Sequence, residues 1–348
     1  MSRRAFFLLA ALATIAVIAA RYLDGSAAPA IGIVDAGVCG FMSYSYTAAG
    51  VAGLAHIDEA YFYSTGPGHV VNAVSLQLNV FARSGGIWYW VQNVFLITYI
   101  NGTYYLTVAD YIFNATDYGL VEARGSGNIV VYQIDGRRIA FYQSSATVGE
   151  VKPPVDLGLV ISANGSALYF YYEVNGQRRL YDVVYLPGEL ELYVGPGREL
   201  EWIVAGPREG YTAVVTGWRG WMELYYETGG GWYAPPCAYS GSESPSTAER
   251  ISPVRGLAEY AEGDRVVQTS GRSSIYLLWS PRAVAAPVAG GIYVSLTPPE
   301  GRWVVLVNGT EAGQGYIALR PGIYNVTAVL KAGDFTVYRR YIYVKISP

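Results

Sequence analysis

Two polar side chains stand on strands that are otherwise aromatic or aliphatic. In Trp88-Tyr89-Trp90-Val91-Gln92-Asn93-Val94 a two-residue period puts Gln92 on the face of Trp88 and Trp90, with Asn93 on the opposite face. In Leu200-Glu201-Trp202-Ile203-Val204 the same period places Glu201 with Ile203 and Ala205. A carboxylate or amide on such a face must find a partner or cost a few kcal/mol, so each is either a structural hydrogen-bond anchor or a site residue. As site residues, a carboxylate supplies a general base and an amide supplies a donor to developing negative charge.

Other catalytic signatures are missing. The chain has no Gly-Lys-Ser phosphate loop, no dinucleotide-binding glycine motif, no Gly-x-Ser-x-Gly elbow, no His-Glu-x-x-His and no Asp-Thr-Gly or Asp-Ser-Gly loop. Its two histidines, His56 and His69, read as turn or surface residues, since no nucleophile with a base stands beside either. Together with the two cysteines they make a poor metal set, so neither a metal nor a cofactor is expected. Cys39 and Cys237 either close a very long disulfide loop, in an oxidising compartment, or are two buried thiols.

These residues must be positioned by strands. Ser75 to Phe81 alternates Leu76, Leu78 and Val80 with Gln77 and Asn79, and alternating or apolar runs recur at Ile87 to Tyr99, Tyr104 to Ile112, Asn128 to Ile134, Ala167 to Val174, Leu180 to Leu186, Leu200 to Val204 and Tyr211 to Val215. Ser84-Gly85-Gly86, Asn101-Gly102, Asp135-Gly136, Asn164-Gly165 and Asn175-Gly176 are turn signals between them. Short strands with tight turns predict an all-β fold, a two-sheet antiparallel sandwich of jelly-roll-like type. The one helical candidate is a turn or two at Ala52 to Ala60. Gly241 to Arg272 is polar and reads as a long loop, followed by a last strand at Ser274 to Trp279.

Composition narrows the function classes. Only 15% of residues are charged, 52% are hydrophobic and 32 are Tyr, which excludes a disordered chain. The net charge of -3 gives no surface for nucleic acid. Of 24 basic residues only Lys152, Lys331 and Lys345 are Lys, an Arg bias that hints at a hot habitat.

Four segments follow. Residues 1–30 read as a secretory signal, because Arg3 and Arg4 precede an apolar run to Ala20 and Ala28-Pro29-Ala30 offers a cleavage point; the alternative is an uncleaved anchor holding the protein at the cell surface. Residues 31–281 form the main domain. The Ala-, Pro- and Gly-rich stretch 282–291 reads as a linker, and 292–348 as a small β-sandwich domain. That last segment resembles the small modules of cell-surface proteins that carry a Pro-Glu-Gly-Ala type signature, here Pro299-Glu300-Gly301-Arg302 and Arg320-Pro321-Gly322-Ile323-Tyr324, and so makes cell-envelope contact a possible role. Export is also the context in which Asn101, Asn114, Asn164, Asn308 and Asn325, each in an Asn-x-Ser/Thr triplet, would be glycosylation acceptors.

Ser75-Leu76-Gln77-Leu78-Asn79, Tyr89-Trp90-Val91-Gln92-Asn93-Val94, Ile203-Val204-Ala205-Gly206-Pro207 with Gly210, and Met222-Glu223-Leu224-Tyr225-Tyr226, in that order, resemble thermopsin, the archaeal family of secreted acid proteases. The Thr- and Glu-rich motif of the later loop is degraded to Ser242-Glu243-Ser244-Pro245-Ser246-Thr247. Glu201-Trp202-Ile203-Val204 and Val91-Gln92-Asn93-Val94 are also similar to the Glu and Gln strands of the glutamic peptidases (eqolisins), and Phe170-Tyr171-Tyr172-Glu173 to a strand lining their cleft. An acidic residue expected just after Ile203-Val204 is replaced by Ala205-Gly206.

The resemblance implies an acid endopeptidase acting on peptide or unfolded protein, with Glu201 as base, Gln92 as oxyanion donor, and Trp88, Trp90 and Glu173 lining the substrate cleft. The pair is then expected to share one water. A carboxylate pair drawn from Asp58, Asp182 or Glu173 is the other mechanism, and a non-catalytic surface sandwich that binds glycan or builds an envelope layer is the other function.

Overall fold

The protein is described by a computed structural model covering residues 31–347 except 67, 118, 135–136, 209–210, 241–249, 252–254, 263–264, 273–275 and 278–280, and without the side chains of 132–138 and 250–280. The signal or anchor segment and the loop around Glu243 lie outside the described residues.

Every regular element among the described residues is a strand, arranged mainly as two large antiparallel sheets. Along the first sheet the main strands run Asn128–Ile134, Arg137–Val151, Thr103–Asn114, Ile87–Ile100, Ala73–Ser84, Leu200–Ala205 and Ile31–Asp35. The second runs Gln177–Tyr185, Ala167–Val174, Val155–Asn164, Gly50–Gly66, Thr212–Thr228, Arg265–Arg272 and Arg255–Glu262. Tight turns close hairpins at Gly85-Gly86, Asn101-Gly102 and Asn175-Gly176, and at Gly165-Ser166 one residue after the predicted start, while Asp135-Gly136 lies outside the described residues. Asn101 (φ 49°) and Gly102 (φ 81°), and Asn175 (φ 50°) and Gly176 (φ 76°), take the left-handed conformations that a two-residue hairpin turn requires.

The core lies between the sheets. Leu76, Leu78, Val80, Val91, Phe95, Trp202 and Val204 of the first sheet and Val51, Ala55, Leu157, Leu159, Ile161 and Leu224 of the second form one buried cluster. Odd residues of Ile87–Ile100 and even residues of Ala73–Ser84 and Leu200–Ala205 therefore face inward. By the same alternation Gln92, Gln77, Asn79 and Glu201 face outward.

Three sequence expectations are corrected. Ala52 to Ala60 is not helical; it belongs to Gly50–Gly66, a central strand paired with both Val155–Asn164 and Thr212–Thr228. Its small residues are there for packing: a Cβ on Gly53 would come within 2.3 Å of the Trp202 ring, whose Nε1 donates to Leu54 O at 2.9 Å. Within the polar stretch read as a loop, Arg255–Glu262 and Arg265–Arg272 pair as a hairpin that extends the second sheet. The stretch read as a linker contains the strand Arg282–Val288, paired with Gly291–Thr297, and Ala283 is fully buried. Pro287 is tolerated because this is an edge strand.

The C-terminal residues form a three-stranded and a four-stranded sheet around Ile292, Val294, Val305, Val326, Ala328 and Val344, a core separate from that of the large sandwich. Ala332 and Val337 nevertheless pack into the large core, and Tyr226 Oη donates to Lys331 O at 3.3 Å. Cys39 and Cys237 are bonded, with Cα atoms 5.4 Å apart.

Candidate functional site

Strand register builds a cross-strand row on the outer face of the first sheet. Asn79 stands opposite Gln92 on one side and opposite Glu201 on the other, and Tyr111 stands opposite Gln92. Gln92 Nε2 donates to Asn79 Oδ1 (3.1 Å) and to Gln77 Oε1 (3.2 Å). Asn79 Nδ2 donates to Glu201 Oε2 (2.9 Å) and to Gln77 Oε1 (3.3 Å). Gln77 Nε2 donates to Ser75 Oγ (2.9 Å), which in turn donates to Gly206 O (2.6 Å).

All five side chains are buried, Glu201 at 1% exposure and Gln92 at 4%. Five polar groups at the outer face of a sheet would ordinarily be solvated. Here their burial is offset by mutual hydrogen bonding, with a backbone carbonyl closing one end of the chain.

Gln92 and Glu201 are thus brought to one row, but the described link between them runs through Asn79. Two strand spacings put their backbones about 10 Å apart. Trp90 lies on the same face beside Gln92, its ring 5.4 Å from Phe113, which is 4.7 Å from Phe141. Trp88 is further along that face, with the Arg198 guanidinium 3.9 Å over its ring and Tyr193 edge-on at 5.1 Å. Gln92 therefore borders an aromatic band on its own strand and the next.

Glu173 does not join this site. Tyr172 packs against the core, so Glu173 points to the outer face of the second sheet, where it pairs with Arg178 at 3.3 Å; both layers of the sandwich separate it from Glu201. Asp58 lies on the same outer face, bonded to His56 (3.3 Å) and Arg219 (3.4 Å). The hydrogen bond to Asp156 is the main cause that raises His56 above its ordinary value. Among the described residues no group of three or more His, Cys, Asp and Glu is placed to hold a metal.

Asp182 does meet another carboxylate, though not one singled out in the sequence. Asp110 occupies the inner face, opposite Asn93 and Ser144, and senses the Asp182 charge. Asp110 is fully buried and neither of its oxygens has a hydrogen-bond partner among the described residues, whereas Asp182 accepts from Ser126 N and Oγ, Val183 N and Tyr142 Oη. Enclosed between the sheets, these two carboxylates are not placed to receive a peptide. Asp35 is a second fully buried carboxylate, bonded by Tyr44 Oη (2.6 Å), Tyr46 Oη (2.8 Å) and Gly37 N (2.9 Å). Burial raises it above the usual carboxylate range despite those donors.

Of the asparagines in Asn-x-Ser/Thr triplets, Asn101, Asn164 and Asn308 are exposed and Asn325 is half-buried. Asn114 is only 6% exposed, and its Oδ1 accepts from the backbone N–H groups of Thr116 and Asp117, as in a turn-forming Asn.

Fold and site define a two-sheet β-sandwich with a carboxylate–amide row set into one face. The Thermopsin family model matches residues 15–254, more than half of the sequence, and the chain belongs to the thermopsin family. That is a family of secreted acid proteases, so peptide is the substrate class. No curated protein matches the chain. Among the described residues no helix is long and apolar enough to cross a membrane.

Proposed function

We propose that the chain is an endopeptidase in which Glu201 and Gln92 carry the reaction. Glu201 takes a proton from a water that attacks the scissile carbonyl, Gln92 donates to the developing oxyanion, and the protonated Glu201 returns its proton to the leaving amine. A carboxylate base suits acid, because an unperturbed Glu titrates near ~4.3 and a histidine base would be fully protonated there. Support comes from one arrangement, the buried Gln92–Asn79–Glu201 row bordering the aromatic band of Trp90 and Phe113.

In that row both Gln92 Nε2 hydrogens are engaged by Gln77 and Asn79, so one of them must turn to the substrate on binding. Burial makes substrate entry a conformational step. Trp88 and Trp90 are then substrate-contacting side chains. Residues 1–30 serve as the export segment, and Asn101, Asn164 and Asn308 as glycosylation acceptors.

The test is hydrolysis of denatured haemoglobin between pH 2 and 7. Glu201→Gln keeps shape and one oxygen but cannot take a proton, and should lower the rate at least ~10²-fold. Gln92→Ala should lower it by ~10² to 10³-fold. Near-wild-type hydrolysis by Glu201→Gln would sink this assignment.

A further inference from the structure

The outer row has a direction. A backbone carbonyl can only accept, so Gly206 O fixes the Ser75 hydroxyl as its donor. The Ser75 oxygen is thereby left to accept from Gln77 Nε2, which turns Gln77 Oε1 towards Gln92 and Asn79. With that oxygen as acceptor, Gln92 must present its NH2 group. Asn79 accepts from Gln92 with Oδ1 and so presents its own NH2 to Glu201 Oε2. The orientation of every amide in the row follows from one acceptor, Gly206 O, at its Ser75 end.

Asn79 is the only side chain of this chain of bonds that touches both Gln92 and Glu201 among the described contacts, and it is fully buried. Its strand is locked on both sides, by Ile87–Ile100 and by Leu200–Ala205. We propose that Asn79 is the positioning residue of the site: held in one amide orientation by Ser75 and Gln77, it fixes the Glu201 carboxylate through Oε2 and holds the Gln92 amide with its hydrogens turned to the row.

This inference rests on the roles assigned above to Glu201 and Gln92. It adds that the acid limb of activity depends on Asn79. A donor to a carboxylate favours the charged form, so removing it makes the base protonate at higher pH.

The test compares Asn79→Ala, Asn79→Asp and Glu201→Gln in the full-length chain, using an internally quenched peptide, with kcat and KM measured separately across pH 2 to 7. Asn79→Ala should lower kcat by roughly tenfold or more, leave KM within about twofold, and move the acid limb of kcat up by about one pH unit. Asn79→Asp is nearly isosteric. Protonated, its carboxyl can accept from Gln92 and donate to Glu201, so activity should survive at the acid end. It should then fall as the new carboxyl ionises beside Glu201, giving a narrower profile than that of the parent.

A purely structural Asn79 predicts otherwise: kcat would fall only with the folded fraction, and the limb would stay where it is. That result, or an Asn79→Asp profile that tracks Asn79→Ala at every pH, overturns the proposal. Should Asn79→Ala fail to fold, the shape of the Asn79→Asp profile decides alone. Full activity in Glu201→Gln removes the catalytic assignment itself. An inactive Glu201→Gln beside Asn79 variants with a wild-type limb removes only the positioning role.

Discussion

Asp110 shows what one side chain can impose on the pH range of a fold. Burial first, and the Asp182 charge second, push its carboxyl up to about 8. Tyr181 lies close enough to oppose this, but its hydroxyl is donated to Asn93 Oδ1 at 2.9 Å. A group raised in the folded state binds its proton more tightly there than in the unfolded chain. Its contribution to stability is therefore complete below about pH 4 and is lost as the pH rises towards 8, on the order of 5 kcal/mol across that window. Asp35, also raised by burial, has the same sign. Urea unfolding at pH 4, 6 and 8 should show the wild type weakening steadily, while Asp110→Asn, which mimics the neutral acid, loses much less. Parallel curves for the two proteins would refute the assignment. The outward-facing Gln92 and Glu201 were legible from the two-residue period because their neighbours are large and apolar. Asp110 was not, since Ala109, Asp110 and Tyr111 give no face a clear preference. Asn79 was visible as an alternating polar residue, and that pattern ordinarily marks a solvated face.

At the scale of elements, the strand Leu200–Ala205 works through its two faces. Trp202 goes inward and is fully buried against Gly53, while Glu201 goes outward into the polar row. The position of Glu201 thus depends on how deeply the neighbouring indole sits. Gly53→Ala would drive a methyl into that ring, and overpacking of this kind costs about 1 to 3 kcal/mol. A lowered Tm with reduced activity is expected, and an unchanged Tm would show that the ring can move aside freely. This contact also explains the misread helix. Ala52, Ala55 and Ala60 resemble helix formers in sequence, yet in a central strand small residues such as Gly53 make room for partners that sequence spacing does not reveal, here Trp202, 149 positions away. The hairpin Arg255–Glu262 and Arg265–Arg272 was hidden for the converse reason, because its polar composition masks the Glu262-Gly263-Asp264-Arg265 turn signal.

Across the whole molecule, the bond between Cys39 and Cys237 spans a sequence separation of 198. Cys39 follows Ile31–Asp35, the strand beside Leu200–Ala205, and Cys237 precedes Tyr239–Ser240, which pairs with Ile33 and Val34. The bond therefore ties the first strand to a segment more than half the chain away, at the side of the sheet that carries Glu201. On the chain-entropy model a loop of this length stabilises the folded state by about 5 kcal/mol, an upper figure because unfolded chains are not ideal. Replacing both cysteines by alanine should lower the Tm and raise urea sensitivity, and should reduce activity at temperatures well below the new Tm, because the sheet loosens first beside Val34 and Glu201. Hydrogen exchange read at Ile33, Val34, Glu201 and Trp202 checks the location. If protection falls uniformly over both sheets instead, the bond acts only through the unfolded state, and the strand beside Glu201 is held by its hydrogen bonds and by Trp202 alone.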